Sequence, residues 1–227
     1  MESVSSFEGL WQKLEEILTR FSSTNIIFNQ YRDSNLLVDI PDAPSIRLKN
    51  LHGYLANRIN DASILIVGEA AGSWGCRFSG IPFTGEKQLI DPSFPISGTR
   101  TSKDVISTEL RLSPPFISRS AEMFWEILSP FHNQFIAWDV FPLHSHNPDK
   151  PFTVRNPTNR ETDQFGEAVR IIASFMNPKI IISVGKKSYD ELTRLGINST
   201  YVRHPSRGGK QRFIEGIISV FSNQILV

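Results

Sequence analysis

Apolar residues recur at helical spacing in the first turns of the chain: Phe7, Leu10, Trp11, Leu14, Ile17, Leu18 and Phe21. The spacing predicts an amphipathic helix over 4–22 whose aromatic and leucine stripe packs on a core. A second helix is predicted over 45–58, with Leu48, Leu51, Tyr54 and Leu55 on one face. The pattern then changes. Ser63-Ile64-Leu65-Ile66-Val67-Gly68 is short and continuously apolar, the mark of a strand buried on both faces. Two runs of the same kind follow at 135–138 and 179–185, and a weaker one at 200–203. Helical patterns lie near 119–130, 160–176, 186–195 and 209–224.

Strands alternating with helices imply a parallel sheet covered on both faces. In such sheets ligands bind beyond the carboxyl ends of the strands, so the chemistry is expected there. Residues 70–118 and 142–159 are long, rich in Gly, Pro and Ser, and lack periodicity. Segments of that length in a compact domain usually serve function, and 86–118 is a candidate lid. Neither a repeat nor a linker divides the chain. It reads as a single domain over 1–227 with an N-terminal helical extension over about 1–58.

Composition narrows the class. The 227 residues are 40% hydrophobic and 21% charged, which excludes disorder, collagen and coiled coil as overall descriptions. The single cysteine, Cys76, excludes an intrachain disulfide, a cysteine-rich zinc site and an iron–sulfur cluster held by this chain alone. Neither a metal nor an organic cofactor is expected. Glu2, Glu8, Glu15 and Glu16 interrupt the apolar N-terminus, which does not fit a secretory leader, and the chain lacks an apolar run of membrane-spanning length. A cytoplasmic monomer is expected. Lys+Arg 24 against Asp+Glu 23 gives a net charge of +1, which neither favours nor excludes a nucleic-acid partner, because a local basic face suffices.

The strand ends carry the candidate chemistry. The first leads into Gly68-Glu69-Ala70-Ala71-Gly72 and then Gly80-Ile81-Pro82-Phe83-Thr84-Gly85. The spacing is not that of a dinucleotide fingerprint, and Gly208-Gly209-Lys210 is not a P-loop. The second strand region reads Trp138-Asp139-Val140-Phe141-Pro142, which puts a carboxylate near the ligand edge. After the fourth strand comes Arg203-His204-Pro205-Ser206-Arg207-Gly208-Gly209-Lys210-Gln211-Arg212, with one imidazole, one hydroxyl and four cations. Together with Arg155, these cations are expected to form a phosphate-facing surface.

These four motifs, in this order and strand context, resemble the uracil-DNA glycosylase superfamily across roughly residues 60–215. The resemblance implies a three-layer α/β/α sandwich around a four-stranded parallel sheet, with DNA as the partner. It also implies a base flipped from DNA into a pocket and hydrolysis of its N-glycosidic bond. On matching positions, Glu69 falls in the water-activating loop, and Ala70 stands where the most efficient members carry aspartate. Gly72 stands where some members carry a tyrosine that blocks 5-substituted pyrimidines. Phe83 matches the aromatic that stacks on the base, and His204 the imidazole that contacts the base carbonyl. Ser206 matches the loop that pinches the DNA backbone, Arg207 lies in the loop that carries a wedge residue, and Lys210 follows in the same run. Lys186 and Lys187 sit where family members touch phosphate.

The departure that matters is Asp139, where the family usually carries asparagine. Asparagine both donates and accepts, and suits uracil; a carboxylate only accepts. A proton shared between Asp139 and N3 of cytosine would satisfy both groups with charge-assisted hydrogen bonds. With Gly72 leaving no aromatic gate, the expected target is a 5-modified cytosine, such as hydroxymethylated or glucosylated cytosine of phage DNA, with a role in antiviral defence. The alternatives are a uracil-DNA glycosylase of base-excision repair and a catalytically weak DNA-binding or base-binding protein. His144 and His146 form a His-x-His pair read here as surface-loop histidines.

Overall fold

The computed structural model of the chain describes residues 5–104 and 113–225. The first position of the predicted opening helix, Val4, and residues 105–112 of the candidate lid lie outside the described residues. The elements run α1 (Phe7–Thr19), β1 (Ile27–Phe28), α2 (Ala43–Ala56), β2 (Ile64–Ala70), α3 (Cys76–Ser79), α4 (Glu86–Leu89), α5 (Arg119–Leu128), β3 (Phe135–Phe141), β4 (His144–Ser145), α6 (Asn159–Asp163), α7 (Gly166–Met176), β5 (Ile180–Val184), α8 (Lys186–Arg194), β6 (Thr200–Val202) and α9 (Lys210–Ile225), with a 3₁₀ turn at Ser129–Phe131.

Four strands form the expected parallel sheet in the order β3-β2-β5-β6. Ile64, Leu65, Ile66 and Val67 of β2 are completely buried, as their unbroken apolar run requires. Helices cover both faces and give the α/β/α sandwich. The outer strand β3 is nonetheless buried along its whole length. One backbone donor facing away from the sheet, Ala137 N–H, bonds to the Tyr54 hydroxyl of α2 at 2.7 Å, so α2 satisfies an edge that would otherwise be an orphan.

Three expectations change. The predicted helix over 160–176 is two helices, α6 and α7, which meet at Gln164-Phe165. α7 begins at Gly166, where a Cβ would lie 2.6 Å from Leu195 Cδ2, so this position must be glycine. The strand predicted over 135–138 extends to Phe141, so Asp139, one residue past the predicted end, lies within a strand. His144 and His146 are not surface-loop residues: they are 0% and 4% exposed. β4 pairs antiparallel with β1, and the ring of His144 bridges the carbonyls of Ala71 and Pro151 at 3.0 Å each. Burial lowers His144 to about 4, so the ring is neutral and its single N–H donates to one of these two carbonyls.

Behind the glycine-rich segment after β2 lies a buried ionic cluster. Arg47 donates to Asp39 at 2.6 Å, and Arg77 lies 3.4 Å from the same oxygen. Glu86 accepts from the backbone N–H groups of Thr101 and Ser102 at 2.6 and 2.9 Å. These bonds tie segments 39, 77–86 and 101–102 together and form the rigid backing of the site. Among the described residues, none of the helices is long and apolar enough to cross a membrane.

Candidate active site

A cavity of about 470 Å³ opens at the carboxyl ends of the strands, lined by Glu69, Ala70, Gly72, Phe83, Asp139 and His204. The sheet explains why residues so distant in sequence meet. Glu69 and Ala70 end β2, and Gly68 pairs across the sheet with Asp139 of β3. Phe83 comes from the loop after α3, and His204 follows β6.

Asp139 is 3% exposed, and its carboxyl makes no hydrogen bond to any described side chain or backbone group. Burial raises its carboxyl to about 7, and the charge of Glu69 adds to the shift. Near neutral pH it therefore exchanges between acid and carboxylate. Glu69 is also raised by burial, opposed by the cations of Lys187 and Arg207, while Glu191 pushes it further up. Its Oε1 is buried without a hydrogen-bond partner among the described residues. Two carboxyl groups with unfilled hydrogen-bonding capacity thus face one cavity, a state that a bound polar molecule would relieve.

His204 is built differently. Its Nδ1 accepts the backbone N–H of Ser206 at 3.1 Å and lies 2.8 Å from the Ser206 hydroxyl. A backbone N–H can only donate, so Nδ1 carries the lone pair and the ring proton sits on Nε2. Burial, then the cations of Arg203 and Arg207, lower the imidazole to about 4. The ring is neutral at physiological pH and presents Nε2–H as a donor. A Cβ on Gly209 would lie 2.1 Å from the carbonyl oxygen of His204, so glycine is needed there to let the loop close on itself.

Phe83 has φ +54, a left-handed conformation rare outside glycine. Its ring stacks on Phe124 with centroids 4.4 Å apart and planes 15° from parallel. A strained backbone held by an aromatic neighbour is a common feature of functional positions. Gly72 lies on the cavity wall, and a Cβ there would meet nothing within 4 Å.

The predicted phosphate-facing cations divide. Arg203, Arg207, Lys186 and Lys187 line the cavity, as does Ser206. Lys186 is ion-paired with Asp190 one turn along α8. Arg207 has φ +52 in the turn after Ser206. Arg155 also lines the cavity, but Glu161 holds its guanidinium through two bonds of 2.8 and 2.9 Å. Lys210 and Arg212 do not line it, and Lys210 is paired with Glu126 at 2.8 Å. Sequence reading passed over Cys76, Ser118 and Ser120, which also line the cavity. Ser118 caps α5, a role its position before an apolar helical run could have signalled, but its nearness to Gly75 arises only in three dimensions. Among the described residues there is no cluster of three or more His, Cys, Asp or Glu side chains able to hold a metal ion.

The arrangement offers a stacking face, a titratable carboxyl, a neutral imidazole donor, a second carboxyl able to orient water, and a cationic rim. Comparison with known proteins bears on what such a site does. The model of the Uracil DNA glycosylase superfamily matches residues 56–222. The crystal structure of wild-type SMUG2 from Pedobacter heparinus superposes with a TM-score of 0.58 at 16% identity, covering 96% of this chain and 99% of that one. None of the curated proteins is significantly similar in sequence.

Proposed function

Because the chain belongs to the uracil-DNA glycosylase superfamily and is a DNA N-glycosylase, we propose that its target is a cytosine carrying a substituent at C5. The observation that carries the reading is the buried carboxyl of Asp139, without a hydrogen-bond partner among the described residues, on the same cavity as Phe83 and His204.

The chemistry follows from one proton. In its acid form Asp139 donates O–H to N3 of cytosine and accepts from the exocyclic amine with its other oxygen, so both edges are satisfied. If the proton shifts to N3, the same two contacts become charge-assisted. As the bond between C1′ and N1 breaks, its electron pair goes to the base. With N3 protonated, the base leaves neutral, and Asp139 is left as a carboxylate that regains a proton from solvent. His204 Nε2–H donates to the base carbonyl oxygen as charge grows on it, and a donor so placed is worth about 3–4 kcal/mol. Glu69 stabilises the sugar cation and orients water. The water oxygen bonds to C1′, and its proton passes to the Glu69 carboxylate. Phe83 stacks on the flipped base, worth roughly 1–3 kcal/mol. Ala70, which carries no carboxyl, adds nothing to the water's activation. Ser206, Arg207, Lys186 and Lys187 hold the DNA backbone and offset the cost of flipping, a few kcal/mol. Lys210 contributes there only if DNA displaces Glu126.

Gly72 supports the substituent: the space beside it is open, and the cavity is far larger than a pyrimidine ring. Hydroxymethylated or glucosylated cytosine of phage DNA is a target whose removal spares unmodified host DNA, and a cytoplasmic antiviral role fits that chemistry.

One observation favours a second reading. With its carboxyl at about 7, neutral Asp139 also reproduces the donor and acceptor of an amide, which suits uracil. A uracil-directed repair enzyme that works only with protonated Asp139 is therefore the rival. Release of bases from duplexes containing uracil, cytosine and 5-modified cytosines, read by mass spectrometry, separates the two.

A further inference from the structure

We propose that a second cavity, between α2 and residues 95–99, is a binding site for a phosphate-bearing anion. It measures about 390 Å³ and shares no lining residue with the base cavity. Asn57 and Arg58 precede β2, and Asn133 precedes β3, so this cavity lies at the amino ends of the strands, opposite the base cavity.

Three features point to an anion. Arg58 is 6% exposed, yet it has no carboxylate partner among the described residues. Its terminal nitrogens reach only carbonyls, Pro95 at 2.7 Å and Tyr54 at 3.4 Å, and its Nε is buried with no partner. Burial lowers the guanidinium from its ordinary range, with only the Tyr54 hydroxyl opposing. Buried cations are normally paired, so a missing counter-charge beside a solvent-accessible cavity is a site in want of an anion. Secondly, Lys49 adds a further cation, while the lining, completed by Asn57, Ser97 and Asn133, contains no acidic side chain. Thirdly, Gly53 lies inside α2, where glycine is a poor helix former, and a Cβ there would meet nothing within 4 Å. Packing does not demand glycine. Its absence of side chain keeps the cavity floor bare between Lys49 and Asn57, one turn away on either side.

Guanidinium, ammonium, amide and hydroxyl groups converging on a pocket of this size suit a phosphate group. The phosphate comes either from a small free molecule or from a DNA backbone. The test is calorimetric titration of the full chain with inorganic phosphate, with 2-deoxyribose 5-phosphate, which carries no base for the other cavity, and with a short duplex lacking a target base. It is run on the wild type, Gly53→Leu and Lys49→Gln. Leucine is the better helix former, so Gly53→Leu fills the cavity without weakening α2. Affinity for phosphate and for 2-deoxyribose 5-phosphate should fall at least about tenfold in both variants, with base release from target duplex unchanged. A parallel fall in duplex affinity would assign the phosphate to DNA, and an unchanged duplex affinity to a small free molecule. Absence of phosphate binding, or equal affinity in all three proteins, would overturn the proposal.

Discussion

Gly68 and Asp139 are cross-strand partners with no space between them: a Cβ on Gly68 would lie 2.4 Å from Asp139 Oδ1 and 2.5 Å from Phe83 Cζ. One glycine thus sets where both the carboxyl and the stacking ring stand. Gly68→Ala must displace one of them. Misplacing a reacting or reading group by about 1 Å costs up to roughly a hundredfold in rate, so base release should slow roughly tenfold to a hundredfold. Circular dichroism should report an unchanged fold. Full activity in this variant would mean that neither Asp139 nor Phe83 needs its present position.

The proton on His204 is fixed by the Ser206 backbone, and the ring stays neutral above pH 4 or so. His204→Ala should therefore lower the single-turnover rate by about 10²–10³-fold, the usual cost of losing a charge-stabilising donor. Ser206→Ala keeps the backbone N–H and should cost much less. The wild-type rate should show no step from this imidazole between pH 5 and 8. A step that vanished in His204→Ala would contradict the assigned tautomer and charge.

Asp139 gives a pH dependence of opposite origin. Its folded-state value, about 7, lies above the ordinary 3.8, so between these the native protein holds a proton that the unfolded chain has lost. Stability therefore falls as pH rises through that window, by a few kcal/mol at most. Asp139→Asn removes the effect, and its Tm should gain on the wild type as pH climbs from 5 to 8. The rate on cytosine substrates should fall above about pH 7, where the bridging proton is lost. Parallel Tm profiles in the two proteins would refute the buried-acid account.

Gly72→Tyr tests the open wall. A Cβ at Gly72 meets no neighbour, so the ring enters the cavity without disturbing the core. Excision of bulky 5-substituted cytosines should drop at least about tenfold, while excision of an unsubstituted base changes little. Equal losses on both would show that the substituent lies elsewhere.

The parts of this molecule legible in the sequence are those governed by local pattern. Ile64–Val67 and Ile180–Val184 declare themselves because strands covered on both faces need unbroken apolar runs. The residues that end or follow those strands then fall beside one another by topology alone, which is why Glu69, Asp139 and His204 were legible as one candidate site. What escaped depends on distant partners. His144 is buried because β1, more than a hundred residues earlier, pairs with β4. Arg155 and Lys210 face Glu161 and Glu126, and no local pattern distinguishes a paired cation from one that awaits DNA. The glycine that opens α7, Gly166, is required by Leu195, which lies beyond the next strand and helix.

Asp139, in the reading proposed above, recognises a cytosine edge through a shared proton. The most direct measurement is the single-turnover rate of base release from two matched duplexes, one bearing 5-hydroxymethylcytosine and one uracil, for the wild type and Asp139→Asn at pH 6.5. The wild type should release the modified cytosine faster, and Asp139→Asn should reverse the preference. Faster release of uracil by the wild type, with the same order kept in the variant, would contradict it.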